Sequence, residues 1–480
     1  MTRQVVLFSA VALSAAAIFF SAKSNEAYTT VPVKKVYVIQ ERTAAENYQN
    51  FCAGCHGEKM DMFVDRQWKH GNTLKDISQG IKNGYANEGM PAFAETFSDK
   101  EVKELAEYIL TGIKNLDQYY FDATPKSNIF ESEKLTVKLD TVATGIAVPW
   151  GMAFLPDGAL LVTDRGGKLY KVKDKKKQEI KGVPDVVAEG QGGLMDIVLH
   201  PDFAKNQLIY FSYSKGKKSG GQTLATTAVM QAKVDGSKLT GQKIIFEALP
   251  YAPTRHHYGS RLAFDKNGYL FISVGERGNE KENPQSLDDN QLGKIHRIKE
   301  DGSIPADNPF KDKSGRTTTL YCYGNRNPQS LAFHPATGDL WETEHGPRGG
   351  DEINIITPGT NYGWPLTSYG INYNGKTITD KTTAPGIQEP LLYWIPSIAP
   401  SGMAFITSDV YKPWKGALLV GSLRFKYLNL CYLDGNKVTS QEKLLKNIGR
   451  VRDVRQGPDG YIYVGVEDTK GSVYRLVPVK

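Results

Sequence analysis

The chain has 480 residues, which at roughly 150 residues per domain sets a prior of two to three domains. With 40% hydrophobic and 23% charged residues the composition is globular and excludes disordered and collagen-like chains. Lys and Arg total 59 against 52 Asp and Glu, a net charge of +7 spread thinly. The densest basic run, Lys173 to Lys177, contains Asp174 and no aromatic residue, so it reads as a solvated hairpin turn and no nucleic-acid partner is expected.

In chain order, Arg3 precedes an apolar run from Val5 to Phe20, followed by Ser21, Ala22 and Lys23. This order predicts a secretory signal over residues 1–23, or an uncleaved N-terminal anchor that would tether the protein to a membrane. The first fifty residues hold no Cys, which excludes a lipid-modified cysteine, and no later apolar run reaches eighteen residues. The expected location is the periplasm or another exported compartment.

Four Cys are too few for a disulfide-stapled scaffold. Two of them form Cys52-Ala53-Gly54-Cys55-His56, the attachment pattern of a c-type haem. Cys52 and Cys55 are expected to bond covalently to haem c, with His56 as an axial iron ligand. Ala44 to Phe51 is predicted as a helix leading into this turn. Leu74, Ile77, Ile81 and Tyr85 keep helical spacing, and Ser98-Asp99-Lys100-Glu101 reads as a capping box before Val102, Leu105, Ala106, Ile109, Leu110 and Ile113. A small all-α domain over residues 40–115 follows. It resembles the monohaem cytochrome c family, and the resemblance makes Met90 of the Met90-Pro91 loop the second axial ligand, with Met60 and Met62 as competitors. A His/Met pair suits electron acceptance rather than oxygen binding.

After a polar linker over residues 116–134 the chain turns to short β-rich runs separated by Asp-Gly and Asn-Gly turns. A pattern of strand, turn, strand and polar cluster starts near Gly151, Gly193, Arg261, Ser330, Gly402 and Arg452, at intervals of about 40 to 70 residues. Six copies predict an all-β six-bladed β-propeller over residues 135–480. The polar clusters, Asp164-Arg165, Glu276-Arg277, Glu344-His345, Arg424 and Glu467-Asp468 among them, would converge near the axis, where a ring of charge calls for a ligand or water.

Several strings in this region recur in one family: Gly190-Gln191-Gly192-Gly193, His257-Tyr258-Gly259-Ser260-Arg261, Gly324-Asn325-Arg326-Asn327-Pro328, His345-Gly346-Pro347, Asn361-Tyr362-Gly363-Trp364-Pro365 and Arg450-Val451-Arg452-Asp453. The chain resembles the soluble PQQ-dependent aldose, glucose and sorbosone dehydrogenases. The resemblance implies His257 as the catalytic base for a sugar hydroxyl and Glu276 as an assisting group near the reacting carbon. It implies Arg326, Arg424, Arg450 and Arg452 as cations for the PQQ carboxylates, Gln191 and Asn327 as neutral donors, and Trp394 as a wall for the flat quinone or the sugar. The backbone carbonyls of Gly346 and Pro347 would ligate Ca²⁺, and Asp351-Glu352 would brace that loop. Departures from the glucose-oxidising members, with His256 before the base, Arg424 for a lysine, Glu276 for an aspartate and Leu391 for a tyrosine, leave the sugar open. Cys322 and Cys431 match no cofactor role.

The expected activity is oxidation of an aldose or related polyhydroxy compound by hydride transfer to PQQ. The haem would relay the electrons to an external acceptor, and tethering the two raises their effective concentration. Two other classes compete. A calcium-dependent lactonase-like propeller hydrolase needs side-chain carboxylates on the metal and gives the haem no task. A non-catalytic binding propeller with a cytochrome would not need His257 or the arginines.

Overall fold

A computed structural model of the chain describes residues 42–56, 60, 70–114, 125, 127–373, 376–395 and 397–479. The expected signal or anchor over residues 1–23, Met62 and most of the expected linker lie outside the described residues. No helix among the described residues is long and apolar enough to cross a membrane.

The first helical path is Ala44–Asn47, a π-turn over Tyr48–Cys52, then Ala53–His56. Thr43 and Glu46 cap its start reciprocally. The π-turn falls on the first attachment cysteine, and such turns favour functional positions because they re-aim the side chains that follow. The helix Leu74–Asn83 carries a second capping box, Thr73 with Asp76. The helix Asp99–Lys114 starts at the expected Ser98, whose backbone N–H donates to Glu101 at 2.9 Å while the Glu101 N–H donates to the Ser98 hydroxyl at 3.3 Å. Its Val102, Leu105, Ala106 and Ile109 pack on Tyr48, Phe51, Ile77 and Ile81 to form a small core.

The remainder is a six-bladed propeller of antiparallel sheets. The first strands of the six sheets, Pro149–Phe154, Leu194–Leu199, Leu262–Phe264, Pro328–Phe333, Pro400–Phe405 and Arg450–Gln456, contact one another in a ring and are almost wholly buried. These are the six repeat starts in the sequence. The ring closes where Val137–Thr144, from before the first repeat, pairs antiparallel with Ser472–Pro478 from the last. Ile129–Phe130 adds the edge strand, so the sixth sheet begins inside the stretch expected as linker. The Lys173–Lys177 run is the turn of a hairpin, as its solvation suggested.

A buried ionic cluster ties the ring together at its axis. Arg261 reaches Asp196 at 3.1 Å and Asp453 at 2.8 Å, and Arg455 reaches the same two carboxylates at 2.7 and 3.0 Å. The carboxylates also accept the backbone N–H groups of Leu262 and Met152 at 2.9 and 3.0 Å, which links the first, second, third and sixth blades. The recurrent glycine of the inner strand has its reason here. A Cβ on Gly151 would stand 2.7 Å from Asp196 Oδ1, and one on Gly402 would stand 2.3 Å from Asp453 Oδ1. Cys322 and Cys431 are buried free thiols in different blades.

Removing one partner of a buried ion cluster strands the others, at a cost of about 3–5 kcal/mol. Asp196→Ala is therefore expected to lower propeller stability by about that amount, read as a shift of the urea midpoint in tryptophan fluorescence. An unchanged midpoint would show that the cluster does not hold the ring.

Candidate active site and haem cleft

One cavity of about 490 Å³ is lined by residues of both the helical region and the propeller. At its helical end stand Cys52, Cys55, His56 and Met90, with apolar walls from Phe51, Ile77, Ile81, Phe93 and Ile109. Met90 is positioned by a tight loop: its carbonyl accepts the Tyr85 N–H at 2.8 Å, and its own N–H returns to the Tyr85 carbonyl at 3.1 Å. Gly84, at φ +62°, ends the preceding helix where a Cβ would stand 2.6 Å from the Met90 carbonyl. Met60 is buried instead against Gly112 and does not line the cavity. Burial pushes the Cys52 thiol up to about 12, and Cys55 adds to the rise. Cys55 lines the cavity, and its raised pKa is opposed by Arg450, Arg326 and Arg424 of the propeller. Two thiols, an imidazole, a thioether and apolar walls are the donor set and lining that a covalently attached porphyrin requires.

At the propeller end the same cavity is lined by Gln191, Arg424, Arg450, Arg452, Gly346 and Pro347. Gln191 accepts the His257 N–H on Oε1 at 2.8 Å, and its own amide N–H₂ makes no hydrogen bond among the described residues. The buried Nε of Arg424 likewise has no partner there. Buried unpaired donors of positive charge call for an anion, and PQQ brings three carboxylates. Arg450 and Arg452 share one carboxylate, Glu467, which lies 2.8 Å from Arg452. Burial would raise Glu467, yet Arg452 and Arg450 hold it well below the usual carboxylate range. Gly346 donates its N–H to Asp351 at 2.9 Å, and the other Asp351 oxygen accepts from Ser397 and Ala399 at 2.6 and 2.8 Å. Asp351 thus braces the Gly346–Pro347 loop. Glu352 turns away to Asn354.

His257 stands beside this cavity with a left-handed backbone, φ 54°, an uncommon conformation for a residue with a Cβ. The buried guanidinium of Arg277 holds the segment by donating to the carbonyls of His256 and Thr254 at 2.9 and 2.6 Å. His257 Nδ1 contacts the carboxylate of Glu276, whereas Nε2 makes no hydrogen bond among the described residues. Glu276, expected near the reacting carbon, lies against the imidazole of the expected base. Burial, then Arg326 and Arg277, drives the His257 pKa well below 6.5, while burial raises that of Glu276 above 4.5. Asn327 takes the Gly259 N–H at 3.1 Å, and Arg326 donates to the Gly346 carbonyl at 2.7 Å. Both therefore brace loops at the cavity wall. Glu344 fixes their turn by accepting both backbone N–H groups at 2.5 and 3.2 Å.

Trp394 is not brought to the cavity. Its indole packs with Trp341, Ile353 and Met403 and donates to Gln441 at 2.8 Å, so the expected quinone wall is absent from that side chain. The sequence analysis brought Arg165, His345 and Glu467 to the axis without giving them a role in the site, and did not find Tyr373, which also lines the cavity. Arg165, His345 and Glu467 sit in the polar clusters that end the first, fourth and sixth repeats, and that periodicity was the available signal.

The propeller thus carries a cation-lined axial cavity with a buried imidazole–carboxylate pair beside it. Residues 146–475 match the family described as Glucose / Sorbosone dehydrogenase, and residues 40–109 match Cytochrome C oxidase, cbb3-type, subunit III. The chain belongs to the glucose/sorbosone dehydrogenase family and is a PQQ sugar dehydrogenase with a cytochrome c domain at its N-terminus. It is 44% identical over 351 residues to the aldose sugar dehydrogenase of Escherichia coli (strain K12), spanning 72% of this chain and 93% of that protein. It is 28% identical over 433 residues to quinoprotein glucose dehydrogenase B of Acinetobacter calcoaceticus, spanning 74% and 88%. The apo-form structure of the soluble E. coli aldose sugar dehydrogenase superposes with a TM-score of 0.68 at 41% identity, over 72% of this chain and 100% of that one. The PQQ-bound aldose sugar dehydrogenase of Streptomyces coelicolor gives 0.59 at 28% identity, over 72% and 99%.

If Met90 is the iron ligand, Met90→Ala alters the haem spectrum and spares dye-coupled sugar oxidation. Met60→Ala should instead keep the spectrum and lose about 2–5 kcal/mol of stability. The reverse spectral pattern would exchange the two roles.

Proposed function

We propose that the protein oxidises an aldose, or a related polyhydroxy compound, with PQQ and Ca²⁺, and passes the electrons through its c-type haem to an external acceptor outside the cytoplasm. The observation that carries this reading is the shared cavity, with the CxxCH and Met90 groups at one end and the arginine set at the other. Arg424, Arg450 and Arg452 would hold the PQQ carboxylates, Gln191 would donate its amide, and the carbonyls of Gly346 and Pro347 would hold Ca²⁺. The Gly346 carbonyl spends one lone pair on Arg326 and keeps the second for a hard cation. When bound, PQQ supplies the hydride-accepting carbon and Ca²⁺ polarises the quinone.

The chain's own contribution is the base. With Glu276 ionised and accepting Nδ1–H, the imidazole keeps its lone pair on Nε2 and can take the proton of a sugar hydroxyl as the neighbouring C–H leaves as hydride. A proton added to the pair converts Nε2 from acceptor to donor, or occupies Glu276. Oxidation therefore falls as the pH drops. Because burial raises Glu276, the fall begins above 4.5.

The domain plan that goes with this reading keeps a signal or anchor over residues 1–23, a cytochrome domain over 40–115 and the propeller after the linker. The charged N-terminus followed by an apolar run supports export. A lactonase-like hydrolase is disfavoured because no group of three or more His, Cys, Asp or Glu side chains among the described residues is arranged to hold a metal ion. A purely binding propeller leaves the His257–Glu276 pair without a task.

Haem-loaded protein supplied with PQQ, Ca²⁺ and a panel of aldoses should show haem reduction that needs all three additions; reduction without PQQ would overturn the reading. Glu276→Gln is expected to lower kcat by about 10²–10⁴ and to move the acid limb of the pH–rate profile. His257→Ala should abolish turnover while PQQ still binds, as measured by quinone absorbance after gel filtration. Full activity in His257→Ala would reassign the base.

A further inference from the structure

The haem region is seated on the propeller through a specific set of contacts. The Arg348 guanidinium lies 4.8 Å from the centre of the Phe51 ring and donates to Asn50 Oδ1 at 3.4 Å. Lys376 pairs with Glu95. Gly89, the neighbour of Met90, packs on His256, where a Cβ would stand 3.4 Å from that side chain's Cβ. His256 in turn stacks edge-on against His257, with ring centroids 4.6 Å apart. Within the attachment motif, a Cβ on Gly54 would point at Arg424 Nε from 4.0 Å. Cys55 lies within the electrostatic reach of Arg450, Arg326, Arg424 and Tyr373.

We infer that this seat is the electron-passing state of the enzyme: the haem domain docks on the mouth of the quinone pocket through the Asn50–Cys55 turn, with the haem edge bonded to Cys55 facing Arg424 and Arg450. The inference deepens the proposed function and rests on it for the identity of the donor. Each sugar oxidised releases two electrons and two protons. The electrons leave one at a time, ferric haem becoming ferrous and being reoxidised by an external one-electron acceptor between steps, while the protons pass to water. Docking at the attachment turn brings the Cys52–His56 motif, rather than the Lys100–Glu107 face of the last helix, against the pocket. The exposed last helix is then left for the outside acceptor.

Two experiments test this. Lys376→Glu sets like charges against each other across the seat, and Glu95→Lys in the same chain restores the pair. In a stopped-flow measurement on PQQ-loaded holoprotein, sugar-driven haem reduction should slow several-fold in Lys376→Glu and recover in the double variant, with dye-coupled oxidation and the haem spectrum unchanged. An unaltered haem reduction rate overturns the inference. The second experiment needs no quinone and no turnover. In haem-loaded Glu95→Cys/Lys376→Cys, a short bis-maleimide that spans the length of the former ion pair should join residues 95 and 376 in most molecules, read by peptide mass. Failure to cross-link overturns the docked seat even if the sugar chemistry stands. Cross-linking without sugar oxidation would leave the seat standing and sink the proposed donor.

Discussion

The arrangement at the centre of this protein depends on four buried charges. Asp196, Arg261, Asp453 and Arg455 come from the second, third and sixth blades, and no two of the three blades could keep its place at the axis without them. A buried ion cluster is seldom a source of large net stability, because desolvation offsets the Coulomb gain. Its effect is on register. Any slip of an inner strand would leave a carboxylate or a guanidinium unpaired in the dry interior, at a cost of several kcal/mol, so only one alignment of the blades is tolerated. The glycines at 151 and 402 are the other half of the device, since they open the space that Asp196 and Asp453 occupy.

The site is built on that register. Arg261 donates through its guanidinium to the carbonyls of Gln329 and Arg452, at 2.7 and 3.3 Å, so the hub cation touches the backbone of a residue whose own side chain lines the cavity. It also lies 4.3 Å from the ring of Trp150 at the cavity floor. Misplacing the hub would move Arg452 and the floor together. This coupling explains why polar residues recur at the ends of the repeats: the ring presents equivalent positions of several blades to one point.

That same recurrence made the blades legible in the sequence, together with the contiguous CxxCH motif and the capping box at Ser98. Side-chain pairings within a blade were not legible. Glu467 neutralising part of the Arg450–Arg452 charge, Glu276 lying on His257, and Arg277 holding the backbone of the base each join residues by a fold-dependent approach rather than by spacing. Trp394 shows the opposite failure: a position in a matching string does not fix the direction of its side chain, and here the indole NH satisfies Gln441 in the core. The burial of Met60 against Gly112, which sets it apart from the cavity-lining Met90, joins positions more than fifty residues apart and had no signal in the local sequence.

The electrostatics of base and cofactor seat form one unit. Burial and then the Arg326 and Arg277 charges lower the proton affinity of His257, so the imidazole stays neutral near physiological pH and is available as a base. Arg326 also holds the Gly346 carbonyl, while Arg424 and the Arg450–Arg452 pair keep positive charge on the cavity wall. On the proposed reading, an anion seated in the cavity near Arg326 would weaken the field that suppresses protonation of His257, and Glu276, raised by its own burial, is the group positioned to share that proton.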